Sequence, residues 1–303
     1  MKIFFLEATV ANNGRAMGAE TISKNRLSMK SRKSRGNMVL IKPFGLIVTI
    51  VIMFAMVACG GSIIIEKTES SSEVSFSMSG TGNITIDWGD GTREKHELGD
   101  GSNFSHEYSG ESVRTVTIKG KNVTHLDCSK KRLTSLVVMN TALKELRCSD
   151  NQLKNLDVSR NTALTELYCG GNQLTNLDVS RNTALKELRC GFNQLTNLDV
   201  SRNTALTYLY CYHNQLTNLD VSRNTALKEL RCVGNQLTNL DVSRNTALTS
   251  LSCVGNQLTC TAINALFGTL HNNNIEGKRI YIEDCKDCDR KIATDKGWAV
   301  VVY

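Results

Sequence analysis

Beyond residue 58 the chain has no excess charge of either sign. Of its 36 Lys and Arg and 29 Asp and Glu, nine basic and two acidic residues fall within 1–58, which leaves 27 of each in the remainder. A nucleic-acid-binding protein carries a basic excess on its folded part, so the formal charge of +7 does not point to a polyanion partner. A membrane-length apolar run is also lacking. The uncharged segment 43–58 has 16 residues, where a spanning helix needs about 20. No acid, nucleophile or phosphate loop recurs in a catalytic arrangement. Cys285 and Cys288 form a C-x-x-C pair, but a structural zinc site takes about four ligands and no second pair exists. These absences exclude nucleic-acid binding and leave no support for an enzyme, a metal site or a cofactor.

What the first 58 residues do contain is a basic stretch ending at Lys42, followed by the apolar run, which is the form of an export signal. The run ends in Met56-Val57-Ala58-Cys59-Gly60. This resembles the lipobox of bacterial lipoproteins, and the resemblance implies lipidation at Cys59 and attachment to a membrane through that anchor. Met29 or Met38 would each open a complete signal peptide, so the leader 1–58 is expected to start later than Met1. Residues 59–73 are expected to be a linker.

From residue 123 a fixed period takes over. Units begin at Val123, Leu143, Leu164, Leu185, Leu206, Leu227 and Leu248. Cysteines recur with them at Cys128, Cys148, Cys169, Cys190, Cys211, Cys232 and Cys253, spaced 20 residues once and 21 thereafter. In each unit Leu and Cys alternate with a polar residue, as at Leu167-Tyr168-Cys169, which is the pattern of a short half-buried strand. A second alternation, Leu177-Asp178-Val179, predicts another extended segment per turn. One such coil cannot bury its own apolar face, so coils must stack. The consensus L-x-x-L-x-C-x-x-N-x-L resembles the leucine-rich-repeat signature, in the internalin-like 21-residue form. The resemblance implies a mainly β solenoid of parallel strands over 123–259.

Two asparagine columns mark the bends. Asn151, Asn172, Asn193, Asn214, Asn235 and Asn256 follow the cysteines, and Asn161, Asn182, Asn203, Asn224 and Asn245 sit at the opposite bend. An amide has donors and an acceptor for backbone groups that the sheet leaves unpaired, so both columns are expected to be structural. Stacked parallel strands hold equivalent Cβ atoms about 4.8 Å apart, farther than the roughly 3.8 Å a disulfide needs. The cysteine ladder is therefore expected to be free, buried and inert. Of Cys260, Cys285 and Cys288, two are expected to form a disulfide, with Cys285 and Cys288 as the candidate pair.

Both ends of the solenoid should be capped. Val74–Met78, Ile84–Trp88 and Val113–Ile118 alternate with period two, which predicts a small antiparallel β-sandwich over 74–122. Its Trp88-Gly89-Asp90-Gly91-Thr92 resembles the PKD type of extracellular β-sandwich, and an Asp-Gly turn beside a buried Trp explains these residues better than calcium. Over 260–303, helices at Ala262–Leu270 and Asp289–Lys296 and strands at Lys278–Glu283 and Trp298–Tyr303 are expected.

Function is read from the outward columns. One runs Arg147, Tyr168, Arg189, Tyr210, Arg231, Ser252; beside it stand Tyr208, Phe192, Tyr212 and His213. Aromatic and Arg residues dominate interface energetics, so this patch is the candidate site for a protein or glycan ligand. The competing reading of the same residues is Arg–Tyr stacking that only stabilises the sheet. Resemblance to leucine-rich-repeat adhesins implies adhesion at a cell surface. The alternatives are an envelope scaffold or periplasmic binding protein without a host ligand and, with less support, a cysteine enzyme built on Cys211 and His213.

Overall fold

The computed structural model describes residues 61–67, 73–110 and 113–303; the leader and Cys59 lie outside them. Two sheets carry the architecture. The first is antiparallel, in the order β4 (Arg93–Leu98), β3 (Gly82–Asp87), β6 (Arg114–Lys119), β1 (Ser62–Lys67), β8 (Ser135–Val138). The second begins antiparallel with β5 (Ser102–Glu107), β2 (Glu73–Gly80) and β7 (Val123–Asp127). From β7 onward it is parallel, one strand per coil: β9 (Glu145–Arg147), β10 (Glu166–Tyr168), β11 (Glu187–Arg189), β12 (Tyr208–Tyr210), β13 (Glu229–Arg231) and β14 (Ser250–Ser252). The protein is thus mainly β, a leucine-rich-repeat solenoid preceded by an antiparallel β unit.

The junction between the two parts differs from the expected boundaries. β1 falls inside the expected linker 59–73 and pairs with both β6 and β8. Ile63 and Ile65 are buried by this pairing. β8 belongs to the first coil, so the antiparallel unit and the solenoid share a core and no boundary separates them at 122. In the Asp-Gly turn, Asp87 accepts from the Gly89 amide at 3.1 Å and Asp90 from the Thr92 amide at 2.9 Å. His106 contacts Asp90 at 2.7 Å, and these bonds, His106 first, hold the Asp90 carboxyl down at about 2. Trp88 is fully buried, with its carbonyl accepting from the Tyr108 hydroxyl.

Within a coil, Leu164, Leu167, Cys169, Leu174, Leu177 and Val179 all point inward and Asp178 outward. Each fully buried Leu contributes about 2 kcal/mol. The Leu177–Val179 segment has the predicted alternation but forms no strand ladder. Its chain turns at once instead: Asp178 accepts from the Ser180 amide, and the Asn182 amide donates to Val179. At the far end, α1 (Cys260–Thr269) is capped by Thr259 and covers the last coil with Ile263, Leu266 and Phe267. β15 (Arg279–Ile282) and β16 (Ala299–Val302) extend the parallel sheet, with the short helix α2 (Lys291–Thr294) between them. The cap disulfide joins Cys260 to Cys285, and Cys288 is free. This corrects the Cys285–Cys288 pairing: the start of α1 lies against the cap and brings Cys260 to Cys285 with Cα atoms 5.8 Å apart. Among the described residues no helix is long and apolar enough to cross a membrane.

Candidate functional site

The two asparagine columns behave differently. Asn193 donates to the carbonyls of Cys169, Cys190 and Gly191 and accepts from the Leu174 amide at 2.9 Å, and the same set recurs one coil along at Asn214. At the opposite bend, Asn203 donates to Val179 and Asn182, each at 2.9 Å. Its Oδ1 is buried without a partner, as are those of Asn161, Asn182, Asn224 and Asn245. The first column is satisfied through both donors and acceptor; the second only through its donors.

The cysteine ladder is buried and free throughout. Burial pushes the thiols of Cys128, Cys169, Cys211 and Cys253 up to about 12, and those of Cys148, Cys190 and Cys232 well above their ordinary value. A cysteine nucleophile needs an accessible thiolate. Cys211 has neither access nor charge, and His213 faces away from it to stack on Phe192 at 4.6 Å.

On the outward face, sequence and register combine into one continuous stack. Successive coils alternate Lys-Glu-Leu-Arg with Thr-x-Leu-Tyr from β9 through β13, the fifth strand of the set. In-register pairing therefore places Tyr168 and Tyr210 each between two Arg. Arg147 and Arg189 lie 4.6 and 5.0 Å from the Tyr168 ring, and Arg189 and Arg231 lie 4.9 and 5.1 Å from the Tyr210 ring. Each Arg is also paired within its strand, to Glu145, Glu187 or Glu229. The Tyr hydroxyls donate to Glu166 and Glu229. Tyr168 and Tyr210 thus have both ring faces covered and are half-buried. The stacking reading holds for them and for the three arginines; both faces of each tyrosine ring are closed to a ligand, while Arg231 has, among the described residues, a ring, Tyr210, on one side only.

The rest of the patch is open. Phe192 is 56% and Tyr208 36% exposed. Phe192, Tyr212 and His213 form one cluster just past the strands, Phe192 meeting Tyr212 edge-on at 5.2 Å and stacking on His213. Phe192 and His213 occupy a left-handed backbone, at φ 53° and 50°. The same column holds glycine at Gly171, Gly234 and Gly255, at φ 65°, 64° and 67°. Away from glycine this conformation costs roughly 1–2 kcal/mol per residue. The space for the rings comes from neighbouring glycines: a Cβ on Gly191 would stand 2.7 Å from the Tyr212 ring, and one on Gly234 2.5 Å from His213 Nδ1.

The cluster separates two concavities on the sheet face. One, of about 620 Å³, has Arg147, Tyr168 and Arg189 along one side and Phe192 and Tyr212 at its end. The other, of about 530 Å³, runs from Tyr212 and His213 past Arg231 and Ser252 to Tyr281 and Tyr303 of the cap. Sequence reasoning missed the cap tyrosines, because Tyr281 stands 29 residues after Ser252 rather than 21 and so drops out of the repeat.

The family model for leucine-rich repeats (two copies) matches residues 141–182. Those 42 residues are one Arg coil and one Tyr coil of the alternation. No curated protein matches the chain. Similar solved structures include the functional domain of InlJ from Listeria monocytogenes, which includes a cysteine ladder, at 34% identity over 60% of this chain and 44% of that one, TM-score 0.46. A leucine-rich-repeat protein of Leptospira interrogans is similar at 26% identity over 53% of this chain and 49% of that one, TM-score 0.44. Internalin C2 of Listeria monocytogenes is similar at 24% over 45% and 74%, TM-score 0.34. The chain spans less than half the length of the first two.

Proposed function

We propose that this protein is a non-catalytic binding protein that holds a protein partner on the outward face of its parallel sheet, at the cluster formed by Phe192, Tyr212 and His213 and at the exposed Tyr208 of β12. The observation that carries the reading is the exposed, stacked pair Phe192 and His213 in a backbone conformation that suits glycine. Strained residues held open to solvent do not serve the stability of the coil, and such outliers concentrate where a surface makes contact. The leucine-rich-repeat fold supports it, since such solenoids present extended binding surfaces.

The test restores glycine to the column. In the double variant Phe192→Gly and His213→Gly, relief of backbone strain offsets the lost ring contacts, which are worth about 0.5–1.5 kcal/mol. The thermal midpoint should stay within about 3 °C of the parent. Partners found by screening immobilised extracellular proteins and glycans should bind the variant about tenfold or more weakly. Retention of full affinity for every partner would reject the site.

The export signal and lipobox support attachment to a bacterial cell envelope through an acylated Cys59, and adhesion is the role this attachment suits. The Trp88 turn, with the buried ring and the Tyr108 hydroxyl bond, supports reading the β unit that precedes the solenoid as PKD-like. Replacing Cys59→Ala should move the full-length protein from the membrane fraction to the soluble one on cell fractionation. If the variant remains in the membrane fraction to the same extent, the anchor lies elsewhere.

A further inference from the structure

The Arg–Tyr stack breaks off one ring short. After Arg231 the next residue in register is Ser252, and the one after that is Tyr281 of the cap. β13, β14 and β15 keep the parallel pairing across this break, so Arg231 and Tyr281 stand two rungs apart, about 10 Å. That is the span that Tyr210 fills between Arg189 and Arg231, at 4.9 and 5.1 Å. At Ser252 none of the described residues fills it. The same concavity of about 530 Å³ includes Arg231, Ser252 and Tyr281, with Ser250 beside them and Val254 on its wall. The strand β14 reads Ser-Leu-Ser where the equivalent Tyr coil β12 reads Tyr-Leu-Tyr. Two large side chains are missing together, and both fall in this slot.

We infer that the slot at Ser252 receives one aromatic side chain of the bound protein, which stacks between the Arg231 guanidinium and the Tyr281 ring and completes the ladder. A flat ring is the group that fits two rungs, because the filled slots show a ring of that size in place. An aromatic face attracts the Arg cation and packs offset on a Tyr ring. Ser250 and Ser252 hydroxyls can bond a phenol or indole donor, as the glutamates bond Tyr168 and Tyr210. The inference rests on the reading of this face as a protein-binding surface, but it is tested without the partner.

The probe is N-acetyl-L-tyrosine amide, with N-acetyl-L-leucine amide as the apolar control, followed by saturation-transfer NMR on the full-length protein. The tyrosine probe should bind saturably and the leucine probe should not. Ser252→Tyr supplies the ring from within; it should raise the thermal midpoint by about 2 °C and cut probe binding about tenfold. Tyr210→Ser opens an equivalent slot between Arg189 and Arg231 and should roughly double the probe signal. Absence of saturable binding to the parent, or equal binding by Ser252→Tyr, overturns the slot. Phe192→Gly alone leaves the slot intact, because Phe192 does not line that concavity, so loss of partner binding there with probe binding retained separates failure of one idea from failure of the other.

Discussion

Raising the pH from about 8 to about 10 is expected to remove about 10 kcal/mol of stability and unfold the solenoid. The cause is the cysteine ladder. An unfolded thiol ionises at about 9, whereas Cys128, Cys169, Cys211 and Cys253 are pushed up to about 12 in the fold and Cys148, Cys190 and Cys232 are also raised well above 9. Above pH 9 the unfolded chain loses protons that the folded chain keeps, so stability falls as pH rises; below 9 both states are protonated and the contribution is fully present. At pH 10 each thiol favours the unfolded chain by about 1.4 kcal/mol, and seven act together. A domain's whole stability is typically about 5–15 kcal/mol. Circular dichroism should therefore show loss of structure near pH 10, with thiolate absorbance rising in the same transition. Cys211→Ala should reduce the loss between pH 8 and 10 by about 1.4 kcal/mol. A solenoid that keeps its signal beyond about pH 11, or thiolate absorbance that rises before the structure is lost, would show that the ladder is not the controlling group.

The same ladder shows what could be read from the sequence and what could not. Period and residue type together dictated the coil, because only a small apolar group fits the third inward slot at every turn and no partner lies within disulfide reach. The sheet order from β9 to β14, the buried cysteines and the role of the first asparagine column follow from that. Strands β4 and β5, Arg93–Leu98 and Ser102–Glu107, escaped because they carry few apolar residues and bury only one face. β1 escaped because Ile63-Ile64-Ile65 is an unbroken apolar triplet that shows no alternation. The candidate site was found as a set of residues but not as a geometry. Tyr168 and Tyr210 look identical to Tyr208 and Tyr212 in a column, yet only register shows that arginines cover both faces of the first two. The slot at Ser252 depends on a cap strand outside the period, and the Cys260–Cys285 bond depends on where α1 docks.

The two asparagine columns are the sharpest case of residues alike in sequence and unlike in energy. Asn193→Ala is expected to cost about 3–4 kcal/mol. It removes the only partner, among the described residues, of the buried Leu174 amide, an orphan worth about 1–3 kcal/mol, together with bonds to the Cys169 and Cys190 carbonyls. Those carbonyls keep Asn172 and Asn214 as donors, so their loss is partial. Asn203→Ala is expected to cost only about 1 kcal/mol. The carbonyls it abandons also accept from backbone amides, Val179 from Asn182 and Asn182 from Leu185, so no backbone donor or acceptor is orphaned. The change also removes a buried Oδ1 that has no partner, which offsets part of the lost bonding. Urea unfolding of the two variants should separate their midpoints by an amount equivalent to about 2 kcal/mol. Equal midpoints would mean that the acceptor of the first column contributes nothing, and that the bends are held by packing of the Leu and Cys core alone.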